Sequence, residues 1–176
     1  MRFKDIGNRF KVKMTKEDGT SFFGQLTLPT ISNNRLADLS PTRRILKVDD
    51  AVPMTAGVVF FTPKKESYLT AYNGEDEYIR SDVNTFLAIR VNREMRWTRR
   101  TTKVNPVTGL PEGEATEDFG LIWAAFEVDG QTTDSMDVVK KDFRIVTNAE
   151  IVEGDFIGKY RALRVDYSLG VFNVKV

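Results

Sequence analysis

Residues 86–128 read FLAIRVNREMRWTRRTTKVNPVTGLPEGEATEDFGLIWAAFEV, and this stretch decides the fold class. Apolar and polar side chains alternate over residues 86–100, which is the period of a half-buried β-strand, and only Arg93 interrupts the alternation. Residues 105–109, NPVTG, form a turn signal. An apolar run over residues 120–128 follows the turn. The stretch therefore predicts a long antiparallel hairpin.

Short strand patterns separated by turn residues continue on both sides of this hairpin. Asp18-Gly19 predicts the turn of a first hairpin within residues 10–28, and Asn73-Gly74 predicts another hairpin turn. Residues 30–40 fit a loop or a short helix, and residues 134–141 fit either a helical turn or an edge strand. The remaining predicted strands are 44–48, 58–61, 68–72, 78–80, 143–146, 155–157, 160–165 and 171–176.

The length of the chain, 176 residues, suits one domain with a sizeable core. Short strands at spacings of about 8–12 residues are typical of a barrel or a sandwich. We therefore expect a single all-β domain over residues 1–176, a small β-barrel or sandwich with a long projecting β-hairpin arm at residues 93–120. Trp123 lies in an apolar run and is expected in the core.

The composition excludes several classes of enzyme. The chain contains no Cys and no His, so it has no thiol nucleophile, Ser-His-Asp triad or imidazole metal site. Neither GxxxxGK[ST] nor GxGxxG occurs. Paired acids such as Glu117-Asp118 remain, but neighbouring strand residues point to opposite faces and do not converge. We expect no catalytic residue, no cofactor and no metal; a carboxylate-dependent glycosidase or lytic enzyme is the enzymatic alternative.

The chain shows no targeting or membrane signal. Charges are scattered through residues 1–7, where a secretory signal needs an apolar segment, and the longest apolar runs are far shorter than a membrane helix. The sequence therefore predicts a soluble protein without a membrane partner. The overall formal charge is only +1, so affinity for nucleic acid would have to come from a local patch.

The two strands of the arm carry opposite charges. Residues 90–103 contain six basic side chains and one acid, whereas residues 111–118 contain four acids and no basic side chain. In an antiparallel hairpin these strands face each other, which predicts cross-strand charge pairs. The alternative is a basic and aromatic surface around Trp97 that contacts a phosphate backbone or an acidic partner.

A connection as long as residues 101–118 without core signals is usually functional or disordered. We interpret it as a projecting hairpin that reaches a partner, and a tip without ordered structure is the alternative. Pro106 and Gly109 are expected to shape the tip. The residues predicted to make the arm's contacts are Arg93, Arg96, Trp97, Arg99, Arg100, Lys103, Pro106 and Gly109.

The last third of the chain resembles the small head–tail joining proteins of tailed bacteriophages, the neck stoppers and adaptors. The resemblance lies in LIWAAF at residues 121–126, in FRIV at residues 143–146 and in AEIVEGDFIGKYRALRVDYSLGVFNVKV at residues 149–176. It covers about a third of the chain and consists of a pattern of strands and glycines.

The resemblance implies a virion protein, made in the host cytoplasm, that forms a ring between the portal or adaptor and the tail. Its partners would be further copies of itself and the neighbouring virion proteins, and DNA would pass without sequence-specific binding. Tail-terminator, tail-tube and capsid-decoration proteins are the nearest variants. An OB-like binder of single-stranded nucleic acid that uses the arm's basic residues is the alternative from another class.

Overall fold

A computed structural model describes residues 11–28, 42–72, 83–133 and 139–176. In these residues the regular secondary structure consists of β-strands, which confirms the predicted all-β class. The length predicts one domain, whereas the described residues cluster into two compact units with separate hydrophobic cores. The first unit runs to Asn92 and includes Leu169–Val171; the second comprises Arg93–Ser168 and Phe172–Val176.

The first unit contains a closed barrel of six strands. Each pair of neighbouring strands is antiparallel. The strands are β1 (Val12–Lys16), β2 (Ser21–Thr27), β3 (Arg43–Asp49), β4 (Val59–Phe61), β5 (Ser67–Tyr72) and β6 (Val83–Val91). Their order around the barrel is β1-β2-β3-β6-β5-β4.

The barrel interior is filled by apolar side chains at alternate strand positions, as period-2 patterning requires. Phe60 is fully buried there, with its ring 5.7 Å from that of Phe22 and 5.5 Å from that of Tyr68. The buried Thr70 hydroxyl is satisfied, because it donates to the Thr55 carbonyl at 2.7 Å and accepts from the Val58 amide at 2.9 Å.

Most strand predictions for this unit are confirmed. The hairpin around Asp18-Gly19 is β1–β2, and the patterns at residues 44–48, 58–61 and 68–72 correspond to β3, β4 and β5. The predicted turn at Asn73-Gly74, the strand at residues 78–80 and the segment 30–40 lie outside the described residues.

The second unit is a curled, half-barrel sheet of seven strands. Their order is β11-β10-β7-β8-β9-β13-β12. The strands are β7 (Arg93–Val104), β8 (Pro111–Thr133), β9 (Val139–Thr147), β10 (Phe156–Ile157), β11 (Tyr160–Arg161), β12 (Arg164–Ser168) and β13 (Val171–Lys175). Residues 139–141, for which the sequence left two interpretations open, are therefore strand, while residues 134–138 lie outside the described part.

Only Ala162 and Leu163 connect the two edge strands β11 and β12, so the sheet has to curl until its edges come close. The Ala162 amide donates to the Asp155 carbonyl and the Leu163 amide to the Lys175 carbonyl, each at 2.8 Å. The curl encloses the second core. That core consists of Met95, Ala124, Ile145, Ile151, Ile157, Ala162 and Val174.

The alternating segment 86–100 is divided between two strands. The chain breaks at Asn92: β6 pairs with β3 and β5 in the barrel, whereas β7 pairs with β8 in the other sheet. The interruption of the alternation at Arg93 adjoins this break, but alternation does not reveal which sheet a strand joins. The predicted hairpin at residues 93–120 is present as the paired parts of β7 and β8. We call residues 93–120 the arm.

Trp123 is half-buried, although the sequence places it in the core. Its neighbours Ala124 and Ala125 are fully buried instead. At this point β8 exchanges one neighbouring strand for another, because β7 pairs with it as far as Ala124 and β9 from Ala125 onwards. Among the residues described, none belongs to a helix of the length and hydropathy needed to span a membrane.

Candidate interaction site on the arm

The tip of the arm is an ordered turn built around Asn105. The Asn105 amide donates to the Leu110 carbonyl at 2.9 Å, and the Gly109 amide donates to the Asn105 carbonyl at 2.8 Å. The Asn105 side-chain oxygen accepts from the Val107 and Thr108 amides at 2.8 and 3.0 Å. Pro106 lies within this turn, and Gly109 has a φ of +68°, which favours glycine. Both residues thus lie where the sequence predicts.

The arm has two parts that differ in their support. At its base, β10 pairs with β7 through Ile157 opposite Trp97 and Phe156 opposite Thr98. Beyond these residues, in the described part of the chain, residues 99–104 and 111–118 form ladder pairs only with each other. We call residues 99–118 the distal arm. A two-stranded ribbon is marginal by itself, so its base has to hold it.

The base is held by Asp155, whose side chain is 1% exposed. Arg99 donates to both carboxylate oxygens of Asp155, through Nε at 2.7 Å and Nη2 at 2.9 Å. Trp97 Nε1 and the Val152 amide donate to the same carboxylate at 2.8 and 3.0 Å. A buried carboxylate with four such bonds fixes the two β7 side chains relative to the loop before β10.

The electrostatics of Asp155 follow from this geometry. Burial is the largest influence and acts to raise the pKa of Asp155. The hydrogen bonds from Arg99, the Val152 amide and Trp97 together outweigh it, so the pKa of Asp155 lies below its ordinary value of 3.8. Asp155 is therefore ionised at neutral pH, paired with a guanidinium that stays charged.

Phe119 completes the base from the opposite strand. It is the extra residue of a bulge in β8, between the pairs Trp97–Gly120 and Thr98–Asp118. Its ring stacks on Trp97 with centroids 4.1 Å apart, and the Arg99 guanidinium lies 5.1 Å from its centroid. Trp97, Arg99, Phe119 and Asp155 form one cluster, which we call the base cluster.

The predicted cross-strand charge pairs are confirmed. Arg96 pairs with Asp118, with an Nε–Oδ2 distance of 2.9 Å, and this contact lowers the pKa of Asp118. Arg100 lies 3.8 Å from Glu114. Both pairs are largely exposed to solvent, so each contributes little to stability.

The remaining predicted contact residues are not gathered into one patch. The Arg93 guanidinium lies 4.4 Å from the Phe126 ring centroid, and that of Arg100 lies 4.7 Å from the Phe156 centroid. Lys103 is exposed opposite Gly113. The basic side chains at the base of the arm are thus held by carboxylates and rings of the same molecule.

The tip carries three exposed apolar side chains that are not among the contact residues predicted from the sequence. Val104, Val107 and Leu110 are 52%, 91% and 64% exposed. Their signal in the sequence is an apolar residue on each side of NPVTG and one inside it, in a segment without a core period. Asp155 and Phe119 were also missed, since only the folded chain brings them to Trp97 and Arg99.

The arrangement is suited to binding another molecule. It does not bring two free carboxylates together as acid catalysis would require. Asp155 and Asp118 are both engaged by arginines. Within the described ranges, no group of three or more acidic side chains is placed to hold a metal ion. No protein-family model, no curated protein and no solved structure matches this chain.

Proposed function

We propose that this protein is a structural component of the virion of a tailed bacteriophage, located in the neck, where copies of it form a ring between the portal or adaptor and the tail. The observation that supports this most is an ordered arm with a fixed base and an exposed apolar tip. The resemblance of residues 121–176 to head–tail joining proteins supplies the kind of assembly.

The tip favours a protein partner. Val107 is 91% exposed and gains nothing by being apolar in an isolated chain. Apolar side chains at the centre of an interface are the groups that most often provide binding energy, because their burial removes them from water. Together with Val104 and Leu110, Val107 offers such an apolar centre at the end of the ordered arm.

The charges of the arm also favour a protein partner. A phosphate-binding surface needs free guanidinium groups, but those of Arg96 and Arg99 are each hydrogen-bonded to a carboxylate of the same chain. A strand of nucleic acid would have to displace those carboxylates. This arrangement favours protein contacts over the single-stranded nucleic-acid binder, and DNA would pass the ring without sequence-specific contacts.

The test is disruption of the gene in the phage that encodes it, followed by complementation. We expect the disruption to give DNA-filled heads and separate tails in electron micrographs. Wild-type protein restores joined particles, while the triple variant Val104→Ser, Val107→Ser, Leu110→Ser restores at most a tenth as many. Leu163→Ser changes a leucine of similar exposure (62%) outside the arm and serves as the matched control.

Two results would overturn the proposal. One is joined, infectious particles in the absence of the protein. The other is full complementation by the triple variant, which would show that the tip makes no contact needed for assembly. Circular dichroism and the free energy of unfolding of the triple variant verify that it is folded.

A further inference from the structure

Each strand of the distal arm has an outer edge that no other described strand covers. In the described part of the chain, residues 99–104 of β7 form ladder pairs only with β8, and residues 111–118 of β8 only with β7. The outward backbone N–H and C=O groups of both strands are therefore available to another strand. Such edges are the sites at which proteins add strands from other chains.

The charges of the two edges are opposite. Residues 99–104 carry Arg99, Arg100 and Lys103 and no acid, whereas residues 111–118 carry four acids and no basic side chain. Charged side chains at an edge usually prevent pairing between identical chains. Here the like charges prevent β7 of one copy from pairing with β7 of another, and likewise for β8. The opposite charges favour pairing between β7 of one copy and β8 of another.

The pair between Arg100 and Glu114 leaves room for a second partner. Their side chains are 61% and 77% exposed and their closest charged atoms are 3.8 Å apart. A β8 strand added at the open edge of β7 would place its own acids about 5 Å from Arg100 and Lys103, the spacing of neighbouring strands. Arg100 would then lie between Glu114 of its own chain and the acids of the added strand.

We propose that the outer edge of β7 in one copy of this chain pairs with the outer edge of β8 in a second copy. Arms that point the same way give an antiparallel pair, because β7 and β8 run in opposite directions. The contact is head-to-tail: each copy uses one edge of each kind, so the series closes into a ring if the rotation between copies permits. This inference rests on the proposed function, whose ring it explains.

Disulfide trapping tests the pairing directly, since the natural chain has no cysteine. Thr102→Cys places a thiol on β7, and Thr116→Cys places one on the same face of β8; both positions are exposed and uncharged. The two single variants, one with an affinity tag that changes its mass, are mixed and oxidised. We expect the mixed disulfide to exceed either homodimer at least fivefold, and each variant oxidised alone to remain mostly uncrosslinked.

A charge exchange provides the second measurement. The variant Arg100→Glu, Lys103→Glu has two acidic strands, and the variant Glu112→Lys, Glu114→Lys, Glu117→Lys has two basic strands. The oligomer of each variant alone is expected to dissociate. In an equal mixture the two variants are expected to alternate around the ring and to regain the molar mass of the wild-type oligomer. Homodimeric disulfides in place of the mixed one, or a mixture that stays dissociated, would overturn the edge pairing.

The outcomes separate this inference from the proposed function. The edge pairing is contradicted if rings form without a mixed disulfide and if the charge exchange does not change their size. The protein could then still be a neck protein that assembles through another surface. Mixed disulfides in a protein whose gene is dispensable for head–tail joining support the edge pairing and contradict the function.

Discussion

Arg99 and Asp155, 56 residues apart in the chain, meet in a two-bond ion pair with N–O distances of 2.7 and 2.9 Å. Asp155 is buried and Arg99 is 31% exposed, so the pair lies at the margin of the second core. It connects the first distal residue of the arm to the loop before β10. The direction in which the arm leaves the sheet is therefore fixed by a contact at its base.

We expect Arg99→Ala and Arg96→Ala to differ sharply in stability. Arg99→Ala leaves a buried carboxylate without its cation and is expected to lower the free energy of unfolding by about 3 kcal/mol. This value is at the lower end of the range for broken buried ion pairs, because Arg99 is partly exposed. Arg96→Ala removes an exposed pair and should give no resolvable change. Urea unfolding at pH 7 measures both; equal losses would contradict the structural role of Asp155.

The ion pair also predicts a pH dependence. Because the folded pKa of Asp155 lies below 3.8, the folded chain favours the charged carboxylate and the unfolded chain binds the proton more readily. The resulting stability is fully present above about pH 4 and is lost as the pH falls through the lowered pKa.

The measurement is the difference in free energy of unfolding between the wild type and Asp155→Asn as the pH falls. We expect a difference of about 2 kcal/mol at pH 7 that shrinks steadily below pH 4. Since both proteins share the other carboxylates, the change isolates Asp155. A difference that is constant from pH 7 to pH 3 would show that ionisation of Asp155 does not stabilise the fold.

Gly170 is expected to tolerate alanine less well than Gly109 does. It has a φ of +78°, and a Cβ there would lie 2.3 Å from the Ala56 Cβ, within the first unit. Gly170→Ala should lower the free energy of unfolding by about 3 kcal/mol, from strain and overpacking together. Gly109→Ala is the matched control: its φ is similar, but nothing lies within 4 Å, so about 1 kcal/mol is expected. Thermal unfolding that ranks the two variants in the reverse order would contradict the packing at Gly170.

Leu169 offers a stabilising substitution. It precedes Gly170 in the two-residue turn between β12 and β13 and has a φ of +53°, which costs a leucine about 1 kcal/mol. Asparagine is the residue preferred at this position of a type I′ turn. Since Leu169 is 45% exposed, Leu169→Asn loses little burial and should raise the free energy of unfolding by about 0.5 kcal/mol. A melting temperature below that of the wild type would show that the leucine side chain contributes more than its strain costs.

Local features of the arm could be predicted from the sequence. The turn at NPVTG and the presence of cross-strand charge pairs follow from the hairpin pattern, because an antiparallel hairpin places its two oppositely charged strands beside each other. The strand positions of the barrel follow likewise from alternation and turn residues.

The division into two units and the base cluster could not be predicted in this way. Arg93 interrupts the alternation next to Asn92, but such an interruption does not show that β6 and β7 belong to different sheets. Asp155 reaches Trp97 and Arg99 only through the folding of the second unit. The exposure of Val107 depends on whether another part of the folded chain packs over the tip, and the periodicity of the sequence does not encode this.

The central claim is that copies of this chain assemble through their arms, and molar mass by light scattering tests it most directly. Measured over a wide concentration range at low salt, the wild type is expected to form a closed oligomer of fixed mass, a multiple of 20.0 kDa. High salt should shift it towards smaller species, because the edge charges are screened. A species of 20.0 kDa at every concentration and salt would contradict assembly through the arm.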